Sequence, residues 1–178
     1  MGLFLDEHPI RFRPDEIVEA DEIFLKPLLV NGDETDDETR WLPVIGMIAR
    51  GGGPVALDIV ESRSTNNMAP AMLSHLPSRD TIVITDGHRS YGFLKRVNNY
   101  VVCQKAHYGA TVCPVVREER IGQGAPFKVH TNTIEGFWSQ LRCRLHASHG
   151  WEARYLPYIL FEFQFRSLNL PVTAALRV

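Results

Sequence analysis

Apolar residues along this chain change their spacing about two thirds of the way through. Before that point they come in short runs, Ile17 to Leu25, Leu42 to Ala49 and Val55 to Val60, which predict three strands. Gly51-Gly52-Gly53-Pro54 separates the second and third runs as a hairpin turn, and the acidic stretch Asn31 to Arg40 reads as a solvated loop between the first two. Thr65 or Asn66 is placed to cap a helix that runs to about His75, with Pro70 near its first turns. The run Thr81 to Thr85 follows Pro77 and stops at Asp86-Gly87, which predicts a buried strand ending in a turn. A further short strand is predicted at Tyr100 to Cys103. From Thr131 onward Ile134, Phe137, Trp138, Leu141 and Leu145 recur at helical spacing, with Thr131 or Asn132 as the cap. An aromatic-rich helix from about Trp151 to Leu168 stops ahead of Pro171.

Three strands, a helix, a strand, a short helix, a strand and then helices form the order of a ribonuclease-H-like α/β fold. Such a fold has a mixed five-stranded sheet flanked by helices. No repeat, low-complexity tract or long linker interrupts the 178 residues, so one ribonuclease-H-like domain is expected over 17–170, with an N-terminal extension at 1–16 and a tail at 171–178. At 44% apolar and 10% aromatic the chain has enough material for a core. Its longest apolar run, Trp41 to Ala49, is far below the roughly 20 residues of a membrane-spanning helix. The chain begins with acidic Asp6 and Glu7 and lacks the sections of a signal peptide, so a cytoplasmic protein without a membrane partner is expected. Cys103, Cys113 and Cys143 are an odd number with no short paired spacing, which argues for reduced thiols over a disulfide framework.

The net charge of −2 does not announce a nucleic-acid binder, but it hides an asymmetry. Residues 1–80 carry 7 Lys and Arg against 15 Asp and Glu, a balance of −8, and residues 81–178 carry 12 against 6, a balance of +6. A phosphate-binding surface would therefore lie on the second half.

Against this background three carboxylates stand out. Asp21 is embedded in the first apolar strand, where a charge is costly to bury without a partner or a metal. Asp86 lies just past the end of the Thr81 to Thr85 strand, and Glu135 lies in the first turns of the helix after Thr131. Each has a plainer explanation: Asp86-Gly87 is a common turn pair, Asp21 could share an exposed face with Glu19, and Glu135 could form a capping box with Asn132. Together they occupy the first strand, the fourth strand's end and a late helix, the places from which a ribonuclease-H-like site draws ligands. Converging carboxylates of this kind suit a pair of hard divalent ions, which take oxygen ligands and act in phosphoryl transfer. Arg142 stands two turns after Glu135 on the same face, with Ser139 between them and His146 beyond, a row suited to metal at one end and DNA phosphates at the other.

These segments resemble a known family. Val18-Glu19-Ala20-Asp21-Glu22, Ile84-Thr85-Asp86-Gly87 with Tyr91, and His130 through Ser139 are similar to insertion-sequence transposases of the ISXO-like group, the bacterial relatives of Merlin elements. The likeness runs from about residue 17 to 169 and includes Arg154-Tyr155-Leu156, Glu162 through Arg166 and His107. It implies a catalytic and metal-binding triad of Asp21, Asp86 and Glu135 holding two Mg²⁺ or Mn²⁺ ions. It implies that water attacks at the element's end and that the freed 3′-hydroxyl then attacks target DNA. The expected DNA-binding set is Arg142, Arg144, His130, Asn132, Ser139 and His107. The expected partners are element ends and target DNA, with a homodimer or higher oligomer assembled on them in the bacterial nucleoid. Asn169 falls one residue late relative to the family's ending, and the Asn31 to Arg40 loop is acidic where relatives are often basic. The residues ahead of Asp21 include Pro9, Pro14 and five acidic side chains and offer no recognition helix, so weak, sequence-independent DNA binding is expected.

Two other readings stay open at this stage. One is a domesticated or truncated relative that binds DNA or a protein without cutting; three converging carboxylates have no purpose in such a module. The other is a zinc site from Cys103, His107, Cys113, His130 and Cys143, whose spacings are irregular for zinc. The aromatic residues Phe137, Trp138, Trp151, Tyr155, Tyr158, Phe161 and Phe165 are expected as a group to be core rather than base-stacking platforms, with Trp151, which follows Gly150 at a helix start, left open.

Overall fold

Strand β1 (Ile17–Leu25) is the middle of a five-stranded sheet. On one side β2 (Leu42–Ala49) and then β3 (Val55–Ile59) extend it antiparallel; on the other β4 (Ile82–Thr85) and then β5 (Val101–Gln104) extend it parallel. The computed structural model describes residues 9–14, 16–27, 41–76, 81–97, 101–104, 117–120, 125–147 and 151–168. The acidic stretch 31–40, His107, Cys113 and Asn169 lie outside the described residues. The order β3-β2-β1-β4-β5, with its parallel β1–β4 step, is consistent with the ribonuclease-H-like arrangement expected from the order of elements. A separate antiparallel pair, β6 (Arg117–Glu119) and β7 (Phe127–Val129), has strands of three residues, too short to establish a period in the sequence.

Helices cover both faces. Helix α1 (Thr65–His75) and, after a single turn of 3₁₀ helix at Arg89–Tyr91, helix α2 (Gly92–Val97) pack on one face. Helices α3 (Asn132–Ala147) and α4 (Leu156–Ser167) pack on the other. Successive strand residues point to opposite faces, and β1 divides accordingly. Val18 and Ala20 join Met68, Met72, Tyr91 and Leu94 in one core, whereas Ile23 joins Ile134, Trp138, Leu141 and Leu156 in the other. Ile10 and Phe12, ahead of β1, are buried in the first core, and the Phe12 amide donates to the His75 carbonyl.

The aromatic-rich segment is not one helix from Trp151. A 3₁₀ turn at Ala153–Tyr155 precedes α4, which opens at Leu156 with Pro157 in its first turn. A proline there sacrifices no hydrogen bond, because first-turn amides have no intrahelical partner. Trp138, Trp151 and Phe165 are core, but Tyr155 and Tyr158 are exposed, and the Arg154 guanidinium lies over the Tyr155 ring. The edge strand β3 is closed by α4 side chains: the Leu57 amide donates to Gln164 Oε1 at 2.6 Å and the Val55 amide to Ser167 Oγ at 3.2 Å. Capping of two edge amides in this way reduces what the strand can offer to another strand. No helix of the described residues is long and apolar enough to cross a membrane.

Candidate functional site

The site forms where the β1–β4 ladder stops. That pairing runs only from Ile17–Ile82 to Glu19–Ile84, so Asp21 and Glu22 lie beyond it and Asp86 follows the end of β4. Adjacent residues of β1 face opposite sides of the sheet, and Asp86, at the opening, is reached from both. One carboxylate oxygen each from Asp21, Glu22 and Asp86 come within 4.8 Å of one another.

Each carboxylate is held from a different element. Asp21 pairs across the sheet with Gly46, whose missing side chain leaves room for the Trp138 ring. The indole Nε1 of Trp138 donates to Asp21 Oδ2 at 3.1 Å, linking α3 to β1. Glu22 faces the other helices, where it accepts from the Tyr91 hydroxyl and ion-pairs with Arg63. Arg63 also reaches Asp86 Oδ2 at 3.0 Å, and its Nε is buried without an acceptor among the described residues. Asp86 Oδ1 accepts the His88 amide at 2.8 Å, and Gly87 takes a φ of +85° that suits glycine. Asp86-Gly87 is thus a turn pair and a site element together.

The electrostatics follow from this crowding. Burial raises Asp21 above the ordinary carboxylate range, and the charges of Asp86 and Glu135 push it further, against the Glu22 amide and Trp138. Burial also raises Glu22, with Asp21 and Asp86 adding to it against Tyr91 and Arg63. The Tyr91 hydroxyl is driven well above its usual range by burial and by Glu22, so it stays protonated and donates. Burial and the positive charges of Arg63 and Arg89 lower His88, against Asp86. Three carboxylates against one guanidinium leave a formal −2, which a divalent cation would match, and an all-oxygen donor set suits a hard ion.

Glu135 stands outside this tight cluster, exposed in the first turns of α3, but its charge reaches Asp21. Its Oε1 accepts from the Thr131 hydroxyl at 2.8 Å. Ser139, Arg142 and His146 are exposed along the helix, as expected for one row with Glu135, and the Ser139 hydroxyl bonds back to the Glu135 carbonyl. Arg144 points to another side of the helix, lining a groove of about 700 Å³ with Phe137, Gln140 and Arg166. Asn132 lines the same groove. His130 lies in a network with Arg50 and Glu19: its Nδ1 is 3.1 Å from Arg50 Nη2, 3.3 Å from the Asn132 amide and 3.3 Å from Glu19 Oε1. Cys143 is exposed on α3 and bears no disulfide.

Sequence reasoning did not single out Glu22, Arg63 or Tyr91 as site members, although Glu22 and Tyr91 stand inside the motif segments. Glu19, placed by the plainer alternative on an exposed face with Asp21, is wholly buried. It points toward α3 and ion-pairs with Arg50. Comparison with known proteins gives one family: a model described as the ISXO2-like transposase domain matches residues 15–167. No curated protein and no solved structure matches.

Proposed function

The chain belongs to the ISXO2-like transposase domain family, and from that premise we propose that it cleaves DNA strands and joins them to a target in a metal-dependent reaction. The family is a DDE-type insertion-sequence transposase family, and its members are generally polynucleotidyl transferases. The observation that carries the reading is the convergence of Asp21, Glu22 and Asp86 at the opening of a sheet of this topology. Asp21, Asp86 and Glu135 are the catalytic triad in this proposal, and Glu22 is a fourth carboxylate at the same place. These side chains would hold two Mg²⁺ or Mn²⁺ ions, which when bound stabilise charge on the attacking and leaving oxygens of a phosphodiester.

The chain's own groups have separable tasks. Trp138 orients Asp21, Arg63 holds Glu22 and Asp86 together, and α3 carries Glu135 on its exposed side. Arg142, Ser139, Asn132, Arg144, His130 and His107 are the proposed DNA contacts, with Arg142 taking a phosphate along the row that begins at Glu135. The proposed setting is the bacterial cytoplasm, with two or more copies assembled on DNA.

The test is nicking of supercoiled plasmid by the purified chain. Nicked circles should accumulate with Mn²⁺ or Mg²⁺, vanish with chelator, and fall at least a hundredfold in Asp86→Asn. If wild type and Asp86→Asn leave the plasmid equally intact while both bind it, the non-cleaving DNA-binding reading replaces this one.

A further inference from the structure

We propose that Glu19 is the positioning residue of the site: its buried carboxylate, bound to the first turn of α3 and to Arg50, sets where Glu135 stands relative to Asp21. The inference rests on the reading that Glu135 acts together with Asp21.

Glu19 is buried to 0% exposure yet meets four donors. Its Oε1 accepts from Arg50 Nε at 2.6 Å and from the Thr133 hydroxyl at 2.9 Å. Its Oε2 accepts from the backbone amides of Thr133 at 2.8 Å and Ile134 at 3.1 Å. The opening amides of a helix have no intrahelical acceptors and sit at the positive end of its dipole, so a carboxylate there is favoured on both counts. Here the carboxylate comes from a strand 114 residues earlier in the chain. A buried charge persists only with such complete pairing, and removal of one partner leaves the rest exposed to the full desolvation penalty.

Arg50, at the end of β2, completes the device. While its Nε holds Glu19, its Nη1 donates to the Lys128 carbonyl at 2.6 Å and its Nη2 to the His130 carbonyl at 2.7 Å. The approach to α3 and its first turn are therefore both fastened to the central strands. Asp21 lies two residues beyond Glu19 on the same face of β1, and nearly two turns into α3 Trp138 bonds to it. The helix is thus fixed to β1 at two points, through residues 133 and 134 and through residue 138. Glu135 lies between them. Rotation or sliding of α3 would move Glu135 away from Asp21 before it disturbed the sheet.

The experiment compares the full-length wild type with Glu19→Gln, which keeps the side chain's size but loses its charge, and with Glu19→Asp, which keeps the charge on a shorter stem. Two measurements are made at a temperature where circular dichroism shows each protein folded: Mn²⁺-dependent plasmid nicking, and amide hydrogen exchange. Positioning predicts that kcat falls at least tenfold in Glu19→Gln with KM within twofold, and that Glu19→Asp recovers part of the loss. Exchange should quicken about tenfold over residues 131–138 and stay unchanged in β1 and β2. A merely structural cap would lower the melting temperature and leave kcat of the folded protein within twofold, which overturns the proposal. If Glu19→Gln does not fold, Thr133→Val, which removes one donor and leaves the charge paired, decides: a loss of about threefold in kcat at constant KM supports the proposal, and an unchanged kcat overturns it. Wild type that binds plasmid without nicking it refutes the transposase reading, and exchange over residues 131–138 then decides the tether by itself, unchanged protection in Glu19→Gln refuting it.

Discussion

Replacement of Asp21 by asparagine should make the metal-free protein more stable and abolish its response to metal. The oxygens of Asp21, Glu22 and Asp86 lie within 4.8 Å of one another. At an effective dielectric constant of about 20, each such pair repels by roughly 3.5 kcal/mol before screening. The groups are only partly exposed and Arg63 offsets part of the charge, so we take the net relief from removing one carboxylate as about 1–2 kcal/mol. Asparagine keeps an oxygen to accept from Trp138, so the packing of α3 survives. For a chain of this size the relief corresponds to a rise of about 2–8 °C in melting temperature. The raised position of Asp21 gives the sign with pH: a group whose folded value lies above its unfolded one favours folding when protonated and loses that contribution as pH rises through the folded value. The advantage of Asp21→Asn is therefore largest at neutral pH and above, and shrinks on acidification. Metal reverses the order, because Mn²⁺ at a hundredfold over its dissociation constant adds about 2.7 kcal/mol to wild type alone. Thermal melts in chelator and in Mn²⁺ should cross. The reasoning fails if Asp21→Asn melts below wild type in chelator, or if Mn²⁺ raises both proteins equally.

Four further outcomes are expected. Arg142→Ala should weaken binding to all duplex sequences alike and flatten the slope of log K against log salt by about one unit in fluorescence anisotropy; an unchanged slope would remove Arg142 from the phosphate contacts. Gly46→Ala should destabilise by about 1–3 kcal/mol in urea titration, since the added Cβ would collide with the Trp138 ring, and metal binding should weaken with it. His75 donates to both the Ile10 carbonyl and Asp58, and although burial lowers its pKa, those partners outweigh it and raise it above 6.5. Wild type should therefore exceed His75→Gln by about 1 kcal/mol between roughly pH 5 and 6.5 and lose that margin as pH rises through the folded value, and a margin that grows with pH would refute the assignment. Gln164→Leu strands the buried Leu57 amide and should cost about 1–3 kcal/mol; no loss would mean that the edge of β3 finds another acceptor.

What the linear chain determined is the order of the main strands and helices, without the short pair β6–β7. The three first strands, the strand ending at Asp86 and the helix carrying Glu135 were legible because each is long enough to show a period or is bounded by glycine, proline or a cap. Asp21 and Asp86 were legible because a charge in an apolar strand or at a strand's end stands out from its neighbours. Boundaries were less so, as the late start of α4 at Pro157 illustrates. Tertiary structure alone decided that Glu22 joins Asp21, since alternation along a strand sends neighbours to opposite faces; they meet only because β4 stops short and Asp86 bridges the opening. It alone decided that Arg63 closes the cluster and that Glu19 is buried as the cap of a helix 114 residues away. Periodicity reports which side of an element is apolar. Which charges meet depends on where one element ends against another, and that is a property of packing.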